Sequence, residues 1–438
     1  MNSHVSKSKL STSLLLSVSS SCTSNETEET SPFSLQHTKL QLPFTPISKC
    51  FSYRPLAILS GHIASVSCLS LCGDYILSAS QSKDIIVWQN PDFKFLNKFG
   101  HGDGSVKSLV TAGNKIFSAH QDGKIRVWKV SKSSENVFKL VETLPTTKDY
   151  LGKFMKQSNY VQTRRHHKRL WIEHSDSISC LTVCNGLIYS GSWDKTLKVW
   201  KLSSFKCLES IKAHDDAING LGACKGVVYS ASADGKIKAW GRKEGNKMKN
   251  KKKKISHCLK GVLKGRQDST FNCVVVSPDG KCIYGGDSNG FIIEWEKIED
   301  FITQTNFDPR NHCLNQFNES WKLVSTTRAH EMAVLCMCLR GKIMLSGSSD
   351  KNIGIWKREG SNGGLCKIGV ISGHKGPVKC LEASSRNTSD GGFYLYSGSM
   401  DKSLRVWWVP MNINEEDTEE NSSAIASRPV NQSIISCS

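Results

Sequence analysis

The sequence lacks any run approaching the roughly eighteen apolar residues that a membrane-spanning helix requires. It is also short of acid: 39 Asp and Glu stand against 58 Lys and Arg, a formal net charge of +19. A phosphate-cradling loop of the Walker type is missing, so phosphoryl transfer from a nucleotide has no residues to rest on. Cysteine and histidine pairs at zinc spacing are missing too, and the "CMC" at 336–338 has no second pair to complete a tetrahedral site. No metal, cofactor, small-molecule substrate or membrane span is therefore expected. Near the start, "LLLSV" at 14–18 behind Lys7 and Lys9 is too short for the apolar core of a secretion signal.

What the chain has in plenty is repetition. The stretch "SGSWDKTLKVW" at 190–200 has near-copies in "LSASQSKDIIVW" (77–88), "FSAHQDGKIRVW" (117–128), "YSASADGKIKAW" (229–240), "LSGSSDKNIGIW" (345–356) and "YSGSMDKSLRVW" (396–407). A weaker copy, "YGGDSNGFIIEW", covers 284–295 and makes seven units. Ahead of six of them stands a histidine: His62, His101, His174, His214, His330 and His374. From His to the closing Trp the gap is 26 residues in four units and 27 in another. It is 33 in the last, where "SSRNTSDGG" is inserted. Within each unit, short β-branched runs alternate with tight Asp-Gly or Asp-Lys turns, which predicts a four-stranded antiparallel sheet.

These units resemble WD40 repeats, whose period is about 40–45 residues with a Gly-His to Trp-Asp signature. The resemblance implies an all-β fold, a seven-bladed WD40 β-propeller at 54–410, closed within one chain and so monomeric. A Ser-rich tail at 1–53 and an acidic, Ser-rich tail at 411–438 are expected to be disordered. The first 25 residues are Ser-rich and lack acid, as in an organellar transit peptide, but "ETEET" at 26–30 counts against import.

In the WD40 pattern His, Ser, Asp and Trp form a hydrogen-bonded tetrad. All four occur in five units: His101, Ser118, Asp122 and Trp128; His174, Ser190, Asp194 and Trp200; His214, Ser230, Asp234 and Trp240; His330, Ser346, Asp350 and Trp356; His374, Ser397, Asp401 and Trp407. A Ser, His and Asp in one unit also suggest a hydrolase. A catalytic triad is needed once, beside an oxyanion hole, so five repetitions point to structure and no catalytic residue is assigned. Two units depart from the pattern. The first has Ser82 for the turn Asp. The fifth has Gly285 for Ser, Asn289 for Asp, and Arg266 and Gln267 near the missing His. The fifth blade is expected to be the loosest, or to be held by other packing.

Seventeen cysteines, an odd number, do not form a disulfide pattern. Cys68, Cys180, Cys336 and Cys380 each lie six residues after a repeat histidine, and Cys273 aligns with them. One inward position on each innermost strand suits a free Cys acting as a small hydrophobe, and a reducing compartment fits best.

Extra segments at 131–163, 241–255 and 297–320 follow a repeat Trp, and 383–392 falls between a first and a second strand. All are expected on one face, leaving the opposite face trim. The strand "RPLAILS" at 54–60 should close the ring beside "SLRVWWV", with Pro55 tolerated on an edge. On the trim face Trp193 and Met400 are apolar residues at tight-turn tips. With Gln121 at the equivalent place, they are the candidate partner-binding residues.

Charge is concentrated in two segments. Residues 241–266 hold eleven Lys or Arg and one Glu, and "RRHHKR" at 164–169 adds four positive charges. Lys251, Lys252, Lys253 and Lys254 form a candidate nuclear-localisation run, although such runs also serve as solvated loops. Without aromatic interleaving or a groove-reading helix, sequence-specific nucleic-acid binding is not expected.

The segments "LAILSGHIASVSCLSLCGDYILSASQSKDIIVW" and "LPTTKDYLGKFMKQSNYVQTRRHHKRLWIEHSDSISCL" resemble the Jingubang-type WD-repeat proteins of plants. That resemblance implies a non-enzymatic regulator in cytoplasm and nucleus that binds other proteins, a transcription factor among them, in signalling around pollen germination and growth. Two other readings stay open. One is a substrate receptor of a cullin-type ubiquitin ligase, although none of the seven repeat tryptophans is followed by Asp. The other is association of the basic loop with nucleic acid or acidic lipid.

Overall fold

A computed structural model of the chain describes residues 52–102, 104–131, 137–164, 167–243, 255–298, 321–359 and 363–411, and the backbone of 433–436. Six antiparallel four-stranded sheets follow in chain order at 66–100, 106–144, 178–212, 218–264, 271–328 and 334–371; these are blades 1 to 6. Blade 7 takes three strands from 378–410 and its fourth from the start of the propeller. Arg54–Ser60 pairs antiparallel with Leu404–Pro410, so hydrogen bonds between the two ends close the ring. The first strand of each blade lies beside that of the next, and the first strand of blade 7 beside that of blade 1. This is a seven-bladed β-propeller.

Radial packing explains why the repeats carry runs such as "DIIVWQ" rather than strict alternation. Four successive residues of Asp84–Gln89 are buried, because each face of a blade packs on a different neighbour. Leu77, Ala79, Ile85 and Val87 meet Val106 and Trp128 of blade 2. From the other face of the same strands, Ile76, Ile86 and Trp88 meet Tyr396 and Leu404 of blade 7. The core is a set of such apolar layers between successive blades. The first-strand cysteines belong to them. The sulfurs of Cys180, Cys273, Cys336 and Cys380 lie over Gly191, Gly286, Gly347 and Gly398, where an added Cβ would come within 2.6–2.8 Å. Burial pushes the Cys180 thiol up to about 12, and every cysteine among the described residues is free.

The two ends of the ring carry different connections. Turns from second to third strands, and the segments leading into each next blade, gather on what we term the upper face. The remaining turns gather on the lower face. Segments 241–255 and 297–320 join third to fourth strands, and 383–392 joins a first to a second strand, all on the lower face. Segment 131–163 behaves otherwise. Phe138–Leu144 pairs with Ile125–Val130 as the fourth strand of blade 2, so the extra residues after it fall on the upper face. They form a short helix, Thr147–Leu151, closed by a capping box between Thr146 and Asp149. A hairpin of Tyr160–Arg164 and His167–Leu170 follows. The upper face is therefore not trim. It carries the basic "RRHHKR" stretch at the hairpin.

The C-terminal expectation changes as well. Ser433–Ser436 pairs parallel with Arg54–Ser60, covering the outer edge that the closing strand would otherwise expose. The tail proposed as structureless at 411–438 thus returns to the sheet at these four residues. The rest of it beyond Met411, and the Ser-rich start at 1–51, lie outside the described residues.

Candidate docking face

The upper face is shaped by the side chains that fix its turns. In blade 3, Ser190 Oγ lies 2.8 Å from His174 Nε2 and 2.9 Å from Trp200 Nε1. His174 Nδ1 is 2.9 Å from Asp194 Oδ2. The indole N–H can only donate, and the carboxylate needs a donor from Nδ1, so Ser190 donates its proton to Nε2 and the imidazole is neutral. Burial drives His174 below its ordinary value against the pull of Asp194. Burial alone would raise Asp194, but His174 and Thr196 hold its carboxyl well below the usual range. The same three contacts recur at 2.7–2.9 Å in blades 4, 6 and 7 through His214, His330 and His374. Ser190, Ser230, Ser346 and Ser397 are each 0% exposed, so no substrate reaches these hydroxyls. The tetrads bind the entry loop, the second strand, the turn and the third strand into one unit.

Blade 2 corrects the expectation for His101, which is exposed and outside the network. Ser118 Oγ is met instead by His120 Nε2 at 2.8 Å, while Trp128 Nε1 donates to it at 2.9 Å. His120 Nδ1 donates to the Gly104 carbonyl at 3.0 Å. Asp122, freed from any histidine, pairs with Arg126 at 2.6 Å. The sequence carried two signals of this. The His-to-Trp gap is one residue longer, and His120 stands where other units have Ser192 or Ser232. In blade 1 His62 and Trp88 both reach Ser78, at 2.8 and 2.9 Å, and Ser82 takes over the turn by accepting from the Asp84 N–H.

Blade 5 replaces the polar tetrad with an aromatic one. Phe271 stands where other blades begin with Val or Ile, and it meets Trp295 edge-on at 5.8 Å. A Cβ on Gly285 would lie 2.7 Å from the Phe271 ring, so the ring fills the space of the serine.

Around the upper face, Trp193 and Met400 are each 44% exposed. Gln121 is exposed, with its Oε1 accepting from Ser105 Oγ at 2.8 Å. Sequence reasoning missed Ile63, 73% exposed, and Met332, 55% exposed. Their signal lay in "GHIAS" and "AHEMA", with an apolar residue just after the repeat histidine. Trp193 also lines a cavity of about 340 Å³ at the mouth of the central channel, and Lys107 Nζ lies 5.7 Å from its ring. Lys251 to Lys254 lie outside the described residues; the flanking strands Lys236–Arg242 and His257–Lys264 open toward the lower face. Among the described residues no helix is long and apolar enough to cross a membrane, and no cluster of His, Cys, Asp or Glu could hold a metal ion.

The WD domain, G-beta repeat (WD40) family description matches residues 53–89, 93–129, 166–201, 205–241, 321–357 and 365–407, just over half of the chain. The chain belongs to the WD40-repeat family. Each WD40 match covers the first three strands of a blade, most of them preceded by the fourth strand of the blade before, and the unmatched blade is blade 5. Protein ROOT INITIATION DEFECTIVE 3 of Arabidopsis thaliana is 30% identical over 145 residues, 32% of this chain and 28% of that protein. Zinc finger CCCH domain-containing protein 59 of the same plant is 29% identical over 25% of this chain and 18% of its own length. Cell division control protein 4 of Saccharomyces cerevisiae is 26% identical over 34% of this chain and 24% of its own. The chain spans under a third of the length of each of these relatives. WD40 propellers are generally non-enzymatic scaffolds for protein partners, and no catalytic family is indicated.

Proposed function

We propose that this protein is an interaction scaffold that recruits partner proteins on the upper face of its propeller. One observation carries the reading: Ile63, Trp193, Met332 and Met400 stand exposed on turns of that face, where solvation favours polar residues. Hydrogen bonds within the turns hold them rigid, as when Asp194 accepts from the Ser175 and Thr196 N–H groups. A preordered apolar anchor loses little conformational freedom on docking.

The finer reading is a plant regulator of the Jingubang type, acting in cytoplasm and nucleus on partners that include a transcription factor, in pollen germination and growth. The resemblance of the repeat segments and the Arabidopsis relatives support it. Ring closure within one chain supports a monomer. Trp193→Ala should weaken partner binding by about tenfold or more, as at other aromatic hot spots, with its melting temperature unchanged. A large loss of thermal stability with binding intact would make Trp193 a packing residue instead.

A further inference from the structure

At the upper mouth of the channel, every innermost strand has a one-residue irregularity after its first position. In four blades the extra residue staples the ring. Ser67 donates to the Val106 carbonyl at 2.8 Å, Asn219 to Phe271 and Asn272 to Val334 at 2.9 Å, and Ser179 to Ile218. Each of these bonds runs to the next blade. Blades 2 and 7 break the scheme, because their extra residues are Lys107 and Lys379, flanking Ser67 on either side. Both are half-buried in the cavity of about 340 Å³, which no carboxylate lines. Among the described residues neither ammonium has an ion-pair partner.

Two cations held together in a partly desolvated recess repel each other, and neither serves the stapling that the other blades use here. Burial, and then the proximity of Lys379, pull Lys107 below its ordinary value. A group that bridged both ammoniums would relieve that repulsion. Gln81 at the rim and the flat face of Trp193 beside it would hold the chain carrying such a group.

We propose that this mouth is the seat for one oxyanion, a carboxylate or a phosphoryl group, on a side chain of an extended partner segment that packs against Trp193. The inference rests on the upper face as the docking surface and adds the chemistry of what docks. Ammonium-to-oxyanion bonds are the strong class of hydrogen bond, and a recess screens them less than an open surface does.

The test uses the full chain and three immobilised nonapeptide libraries, degenerate except for a central phosphoserine, glutamate or serine. Retention on the phosphoserine or the glutamate library, over serine, is expected, and the one retained names the source of the oxyanion. Lys107→Met with Lys379→Met should cut that retention by about tenfold or more, and leave the melting temperature equal or higher because the repulsion is gone. Lys168→Met, on the hairpin away from the mouth, should change retention far less. Equal retention on all three libraries, or retention indifferent to the double substitution, overturns the proposal. If Trp193→Ala still abolishes binding of partners from plant cells in that event, the docking face stands and only the oxyanion seat falls.

Discussion

Protonating His62 or His120 would put an unpaired cation inside a blade. Burial, with Lys98 adding to it, pulls His62 down to about 4. Burial likewise brings His120 to about 4, although its bond to the Gly104 carbonyl opposes the shift. The ordinary value is 6.5, so between these limits the unfolded chain binds more protons than the folded one. Stability is then fully present above about pH 6.5 and falls as pH drops toward about 4. Thermal melts across that window should show the decline, and His62→Gln with His120→Gln should flatten it. An unchanged slope would mean that these rings are not buried as neutral bases. The two histidines also mark how far single residues can be read. Four tetrads follow from spacing alone, because 26 residues, or an insertion confined to one turn, deliver the same imidazole to the same serine. His120 is hidden, because its route to Ser118 needs only a two-residue reach within one strand, which no His-to-Trp spacing encodes.

Blade 5 shows what a repeat can lose and still close. The sequence suggested looseness or substitute packing, and the structure supplies the second through Phe271, Trp295 and a buried ion pair. Glu294, 0% exposed, accepts from Arg358 Nε of blade 6 at 2.6 Å and from the Gly364 N–H at 3.0 Å, strapping the two blades together. None of this was legible beforehand, since it depends on which residues of different blades face each other. Gly285→Ser should destabilise the chain by about 1–3 kcal/mol, because its Cβ would press on Ile237 and Phe271. Phe271→Val alone opens a cavity and should also destabilise. Made together, they should cost clearly less than the sum, as the serine takes the space the ring gave up. Strict additivity in denaturant melts would show that the phenylalanine does not stand in for the tetrad.

For the molecule as a whole, closure and polarity are the decisive features. The number of blades, the closing strand at 54–60 and the lower-face loops at 241–255, 297–320 and 383–392 could all be counted along the chain. The upper-face hairpin could not, because the fourth strand of blade 2 carries no tryptophan or turn motif to mark it. Deleting residues 1–60 should abolish cooperative unfolding, since Leu404–Pro410 would lose its partner and the ring its clasp. Deleting 1–50 should leave the melting transition in place. A chain without 54–60 that still melted sharply would show that closure does not depend on that strand.

The most direct test of the docking face compares its two ends in plant cells. Proximity labelling would be run with the wild-type chain, with Ile63, Trp193, Met332 and Met400 all changed to Ser, and with the lower-face loop 244–254 deleted, at matched expression and melting temperature. The account predicts that the upper-face variant loses most of the labelled partners and that the loop deletion keeps them. A partner set that survives the four upper-face changes and disappears with the lower loop would contradict it.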